Sequence, residues 1–150
     1  MRAHQEPAYS PNEASRVGIR KARMMVYWSG TVLALLGDVE LRRISGGAES
    51  LDTVLDRLQR CCLPAQQTWH GRELFQRLDA LSGYPVFAPL YDRYADRRGM
   101  PPFEVVFAEL GVVVDDGRVR LDDAAPLADI RDAIMQAPAR QAAARGGDYN

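Results

Sequence analysis

The chain has 150 residues, the length of one ordinary domain, and 47% of them are hydrophobic and 26% charged. This composition is typical of a globular protein and excludes an intrinsically disordered one. Nineteen Lys and Arg residues against twenty Asp and Glu residues give a net charge of -1. A dedicated nucleic-acid binder needs a basic surplus to displace counterions from phosphates, so we expect no nucleic-acid partner.

The start of the chain lacks an apolar signal core, and we therefore expect a cytoplasmic location by default. Residues 1–20 are polar and carry Pro7 and Pro11, which favours an extended lead-in. The longest apolar stretch, Met24 to Leu36, falls short of the roughly 20 residues that a membrane span requires. We accordingly predict a core helix in this stretch and no membrane partner.

Hydrophobic periodicity predicts a bundle of helices. A long central helix is expected from Lys21 to about Ile44, and it is apolar on nearly all sides between Met24 and Leu36, as in a helix surrounded by others. Four shorter helices follow: one from an N-cap at Ser50 to Pro64, one through Leu74 to Leu81 that stops at Gly83, one around Leu90 to Tyr94, and one from Pro101-Pro102 to Gly111.

The pattern changes after Gly111. Two apolar segments flank Asp116-Gly117, a strong signal for a two-residue hairpin turn, and a last helix then carries Leu127, Ile130 and Ile134. The tail over 136–150 is predicted to be flexible. The predicted fold is mainly α, a helical bundle around a central apolar helix at about 21–44, with one small β-hairpin near 112–121. We expect a single helical domain over 21–135.

The residues that most often carry chemistry are few. Cys61 and Cys62 are adjacent, and because neighbouring cysteines rarely have disulfide geometry, we expect no disulfide and one thiol buried at a helix end. Two neighbouring thiols could hold a soft metal, but no second Cys or His pair accompanies them. His4 and His70 are far apart, and His70 precedes a helix, where a capping role is favoured. We predict no metal and no complete catalytic site in this chain.

One stripe of the central helix carries polar residues. Steps of three and four place Tyr27, Thr31, Ala34, Asp38 and Arg42 on one face. Polar groups on an apolar helix must be hydrogen-bonded or paired when they are buried. The simplest interpretation is an ion pair between Asp38 and Arg42, with the Tyr27 hydroxyl on a backbone carbonyl. The alternative is a polar substrate groove lined by Thr31, Asp38 and Arg42, in which Tyr27 stabilises a developing oxyanion.

A longer series of short segments contains this stripe. The segments follow one another over roughly residues 20 to 112. They are Tyr27-Trp28-Ser29-Gly30, Asp38 with Arg42, Gly46-Gly47, Ser50-Leu51-Asp52, Leu81-Ser82-Gly83, Leu90 to Tyr94, Gly99 and Leu110-Gly111. In order and spacing they resemble the glycyl-aminopeptidase family of zinc metallopeptidases. That family has a Tyr-x-Lys-Gly segment, a Leu-Asp with an Arg four residues on, a helix-opening Ser-Leu-Asp, and then Thr-Gly and Phe-Phe-x-x-Tyr segments.

The resemblance implies that this chain corresponds to the C-terminal helical part of a peptidase domain. Tyr27 matches the tyrosine that stabilises the tetrahedral intermediate in related aminopeptidases. The chain departs from the family in two ways. The family's His-Glu-x-x-His and third Glu ligand would lie upstream of Tyr27, before the first residue here, and Ser29 replaces the family's Lys.

These departures predict a chain that is not catalytic alone. The intact family member binds zinc and a peptide substrate, whereas the partner expected for this chain is the zinc-bearing half or a second copy. The lead-in around Pro7 to Pro11 could instead shield the face that carries Tyr27. The alternative is a diverged, stand-alone helical protein-interaction module without enzymatic activity.

Overall fold

The structure, a computed structural model, describes residues 10–17, 20–64 and 68–136. In chain order, these residues form α1 (Pro11–Val17), α2 (Arg20–Ile44), α3 (Leu51–Cys62), α4 (Gly71–Ser82), α5 (Phe87–Tyr94), α6 (Glu104–Glu109), β1 (Val112–Asp115), β2 (Arg118–Leu121) and α7 (Ala128–Met135). The predicted fold class, a mainly α bundle with one small hairpin, is confirmed. The predicted flexible tail lies outside the described residues from 137 onward.

The chain divides into two compact units between Phe103 and Glu104. The first unit contains α1 to α5, and the second contains α6, the hairpin and α7. We expected no boundary at this point, and the single domain over 21–135 stays a prediction.

Residues 11–17 form a helix, so the prediction of an extended lead-in over 1–20 was wrong for this part. Ser10 and Glu13 cap α1 reciprocally: the Ser10 hydroxyl accepts the Glu13 N–H at 3.2 Å, and the Glu13 carboxylate accepts the Ser10 N–H at 2.8 Å. Asn12 then holds α1 on the end of α5, because its side chain donates to Asp96 at 2.8 Å and accepts from the Tyr91 hydroxyl at 3.2 Å. Residues 1–9 lie outside the described part.

The core of the first unit lies where the C-terminal half of α2 meets α3, α4 and α5. Its buried residues are Leu41, Val54, Leu58, Leu78, Val86 and Phe87. A Cβ at Gly37 would lie 2.5 Å from Cε1 of Phe87, so the absence of a side chain there lets the ring pack directly on α2.

The expectation that α2 is enclosed from Met24 onward was wrong. The helices α3 and α5 contact its C-terminal half, through the start of α3 at Asp38 and through Phe87 at Gly37, and α1 also packs against α2. Met24, Tyr27 and Trp28 are exposed. The large apolar side chains of Met24, Tyr27 and Trp28 are therefore not buried by the described residues.

Local hydrogen bonds set the helix ends of the first unit. Ser50 caps α3 as predicted, its hydroxyl accepting the Thr53 N–H at 3.2 Å, and His70 occupies the N-cap of α4. Gly83 ends α4 in the left-handed conformation with φ of 79°. The Asp79 carboxylate caps the start of α5 by accepting the backbone N–H groups of Val86, Phe87 and Ala88 at 3.0, 2.6 and 3.0 Å.

The second unit contains the predicted hairpin. Its strands pair in antiparallel register, Val112 opposite Leu121 and Asp115 opposite Arg118. The turn residues Asp116 and Gly117 have φ of 45° and 73°, the positive values that a type I′ turn requires. The hairpin prediction is confirmed.

Arg131 on α7 anchors the second unit and is only 5% exposed. Its guanidinium donates to the carbonyl oxygens of Leu110 and Asp122 at 3.3 and 3.0 Å, and to the carboxylates of Asp123 and Asp132 at 2.7 and 2.9 Å. The hydrogen bond with Asp132 is the main cause of the raised pKa of Arg131. This buried arginine thus joins the end of α6, the end of the hairpin and α7.

Candidate functional site

The N-terminal half of α2 presents an apolar and aromatic surface to solvent. Met24, Tyr27, Trp28 and Thr31, which we call the exposed α2 face, follow the i, i+3, i+4, i+7 spacing of one helix face. The exposed fractions of the three large side chains are 51% for Met24, 64% for Tyr27 and 49% for Trp28. The Tyr27 and Trp28 rings touch edge-on, with centroids 5.5 Å apart and planes at 83°. Three large side chains thus lie side by side in water.

Tyr27 occupies an exposed position on this surface. The simplest interpretation of Tyr27 was a buried hydroxyl that bonds to a backbone carbonyl. This interpretation does not fit, because most of the Tyr27 side chain contacts solvent. The Thr31 hydroxyl donates to the Tyr27 carbonyl oxygen at 3.0 Å, a bond within the helix that fixes the Thr31 side chain. Tyr27 is therefore accessible to a substrate or a partner.

Asp38 and Arg42 lie at the packed end of the stripe and form the predicted ion pair, with Arg42 Nε 3.0 Å from Asp38 Oδ2. The other oxygen of Asp38 accepts the Leu51 N–H at 2.7 Å, at the first turn of α3. Arg42 also approaches Asp52 at 3.9 Å. A carboxylate near a helix N-terminus stabilises its unpaired N–H groups, so this pair joins α2 to α3.

The stripe predicted from the sequence divides into two parts. Tyr27 and Asp38 are 11 positions apart, which corresponds to about 16 Å along a helix axis. Tyr27 and Thr31 lie on the exposed α2 face, while Asp38 and Arg42 are engaged with α3. A substrate groove that uses Thr31, Asp38 and Arg42 together stays a prediction.

Ser29 departs from the resembled family in its environment as well as its identity. The side chain is 1% exposed, and its hydroxyl has no hydrogen-bond partner in the structure over residues 10–17, 20–64 and 68–136. A lysine ammonium at this buried position would have to leave water without compensation. The neutral residue fits a position that faces protein.

Cys61 and Cys62 form a disulfide in the last turn of α3, so the prediction of free thiols was wrong. Their Cα atoms are 3.7 Å apart. The expectation followed from the rarity of bonds between sequence neighbours, and the Cα separation of this pair is indeed shorter than that of most disulfides. No signal beyond the Cys-Cys pair itself marked this site in the sequence.

Metal ligands are not assembled in the part of the chain that the structure describes. No group of three or more His, Cys, Asp or Glu side chains there could hold a metal ion, and His4 lies outside the described residues. The described residues therefore do not form a zinc site of the kind that the resembled family contains.

The central helix is long enough to cross a membrane by length and composition. The segment Met24–Ile44 has 21 residues and contains an 18-residue window with a mean hydropathy of 1.2, so the apolar stretch is long enough once the helix is followed to its end. Within that window, 39% of the residues are buried in the fold. A core helix of a globular protein meets the same criterion, and the absence of a membrane partner stays a prediction.

In comparisons with known proteins, no family model, no curated protein and no solved structure matches this chain. The resemblance to glycyl aminopeptidases therefore depends on the order and spacing of the short segments between residues 20 and 112.

Proposed function

We propose that this chain is a helical portion of a zinc aminopeptidase-like protein, which presents Tyr27 to a peptide substrate and is not catalytic by itself. The zinc ligands would be supplied by a separate zinc-bearing portion that covers the exposed α2 face. In this role the Tyr27 hydroxyl donates a hydrogen bond to the oxygen on which negative charge develops.

The observation that carries the proposal is the exposure of Tyr27 together with Met24 and Trp28. Scattered apolar side chains are normal on a protein surface, but adjacent large ones often mark a site for a partner or ligand. Aromatic residues and methionine are also enriched in protein–protein interfaces. The sequence segment that resembles the family's catalytic tyrosine is thus the segment that lies uncovered.

The continuity of α2 supports the role proposed for Tyr27. It belongs to the same continuous helix as Val39 and Leu41, which are buried in the core. Catalytic side chains on rigid elements are held more precisely than those on loops. The packed half of α2 therefore provides the support, and the exposed half provides the functional surface.

The experiment mixes the full chain with the zinc-bearing portion of a glycyl aminopeptidase that lacks its own helical portion. We expect complex formation and chelator-sensitive hydrolysis of a glycyl substrate, with no hydrolysis by the full chain alone. Tyr27→Phe should keep the complex and lower kcat by about 10²–10³-fold, the cost of removing one oxyanion donor. Trp28→Phe is the matched aromatic control and should leave kcat within about threefold, since it removes no group with an oxyanion role.

Ser29 favours a second candidate, a diverged helical interaction module without enzymatic activity. Its buried, neutral side chain replaces the lysine of the resembled segment, which removes a charge from the vicinity of Tyr27. In that case the exposed α2 face binds a protein or a second copy, and Tyr27→Phe changes no activity. Association without hydrolysis in the mixing experiment would support this candidate, and the absence of both would contradict the peptidase proposal.

A further inference from the structure

The disulfide between Cys61 and Cys62 has features of a reactive site and lacks those of a structural crosslink. A disulfide stabilises a fold mainly by closing a loop of chain, and the gain falls as the loop becomes shorter. This bond joins sequence neighbours at the end of α3 and connects no two elements. Its stabilising effect on the tertiary structure is therefore small.

The two sulfur atoms differ in accessibility. Cys61 is exposed, whereas Cys62 is partly buried and packs against the core cluster of Leu41, Val54 and Leu58. An incoming thiolate can therefore reach the Cys61 sulfur first, with the Cys62 sulfur as the leaving group. Exposed disulfides are the ones that exchange readily with external thiols.

The surroundings accommodate the reduced form as well. The Cys61 sulfur lies 3.7 Å from the Leu58 carbonyl oxygen, which can accept a weak hydrogen bond from the thiol. Arg60, the basic residue that precedes Cys61 in the sequence, is paired with Asp56. A reduced Cys61 would therefore have a hydrogen-bond acceptor within reach at the end of α3.

An open groove lies beside the pair. It is lined by Leu55, Leu58, Gln59, Leu63 and Pro64. Cys62 follows Leu55, Leu58 and Gln59 at steps of seven, four and three, so it shares their helix face. The groove offers a mainly apolar surface for the organic part of a small thiol during exchange.

We propose that Cys61 and Cys62 form a thiol–disulfide exchange site whose substrates are low-molecular-weight organic disulfides and thiols. In the oxidative direction, the Cys61 thiolate attacks the organic disulfide RSSR, forms a Cys61–SR bond and releases RS⁻. The Cys62 thiolate then attacks the Cys61 sulfur, forms the Cys61–Cys62 bond and releases the second RS⁻. Two protein thiols are oxidised, RSSR is reduced to two RSH, and the protons of the two cysteines pass to the released thiolates.

The test equilibrates the full chain with glutathione and glutathione disulfide at a series of ratios, quenches it with acid and alkylates the free thiols before intact mass measurement. We expect two species, an unalkylated disulfide form and a doubly alkylated form, whose ratio follows [GSH]²/[GSSG]. Because these are the only cysteines in the chain, the masses assign the species directly. A wild-type chain that accumulates stable glutathione adducts or disulfide-linked dimers, or that stays a dithiol in pure glutathione disulfide, would overturn the proposal.

Two single variants separate the roles of the cysteines. Cys62→Ser lacks the resolving thiol and should accumulate one glutathione per chain on Cys61. Cys61→Ser retains the less accessible thiol and should form its adduct about tenfold more slowly. Equal rates in the two folded variants would contradict the assigned order of attack. If either variant fails to fold, the wild-type species distribution decides alone.

Discussion

The two halves of α2 differ in environment although they belong to one continuous helix. Between Val32 and Leu41 the helix carries four buried apolar residues, and its Asp38 is tied to α3. Between Met24 and Thr31 large side chains lie in solvent. The apolar composition of a helix thus does not reveal which part of it is buried, because burial depends on which part the neighbouring elements contact.

Under the proposed function, the packed half of α2 supports the helix and the exposed half binds a substrate or partner. Substitutions in the packed half should change the free energy of unfolding, whereas those in the exposed half should leave it nearly unchanged and alter binding instead. If both halves responded alike, the exposed α2 face would belong to the core.

Leu41→Ala should have the largest effect on stability. Leu41 is 0% exposed, and its truncation removes buried methyl groups and leaves a cavity, at a cost of about 3–5 kcal/mol. Urea unfolding followed by circular dichroism measures this change. The matched control is Met24→Ala on the exposed face, for which we expect a change within about 0.5 kcal/mol. A similar loss for the two variants would contradict the division of the helix.

Asp38→Ala should be the next most harmful change. It removes the acceptor of the Leu51 N–H and leaves the mostly buried Arg42 guanidinium without its 3.0 Å partner. Because both lost bonds involve a charged group, we expect destabilisation of about 2–3 kcal/mol. Glu40→Ala, which removes a more exposed ion pair with Arg43, is the control and should cost less than about 1 kcal/mol. Equal costs would show that Asp38 does not join α2 to α3.

Glu49→Gln should have the smallest effect, and this effect should depend on pH. Hydrogen bonds, chiefly from Arg57, hold the pKa of Glu49 below its usual value, and Arg57 also donates to the Leu81 carbonyl at 2.9 Å, joining α3 to α4. A lowered folded-state pKa contributes stability that is present above the unfolded pKa of about 4.3 and is lost as the pH falls through the folded pKa.

Unfolding curves of wild type and Glu49→Gln across this range provide the measurement. The wild type should be more stable by about 1 kcal/mol at pH 7, and this difference should shrink as the pH falls below the unfolded pKa and vanish below the lowered folded pKa. A difference that stays constant as the pH falls would mean that the charge of Glu49 is not the source of the stabilisation.

Much of the fold was predictable because it depends on neighbours in the sequence. The N-cap at Ser50, the stop at Gly83 and the Asp116-Gly117 turn are set by interactions within a few residues. The helix over 11–17 was also encoded locally, by Ser10-Pro11 and Glu13, although Pro7 and Pro11 had suggested an extended chain. For the candidate site, the sequence placed Tyr27, Thr31, Asp38 and Arg42 on one helix.

The rest was decided by contacts between residues far apart in the chain. Phe87 packs on Gly37, and Asp38 accepts the Leu51 N–H at the start of α3. Arg131 donates hydrogen bonds to the carbonyl oxygens of Leu110 and Asp122. Helical periodicity reports which residues share a face, but it does not report whether another element covers that face. The sequence by itself therefore determined the helices, the hairpin and the polar stripe, and the tertiary structure alone decided that Tyr27 is exposed while Asp38 is buried.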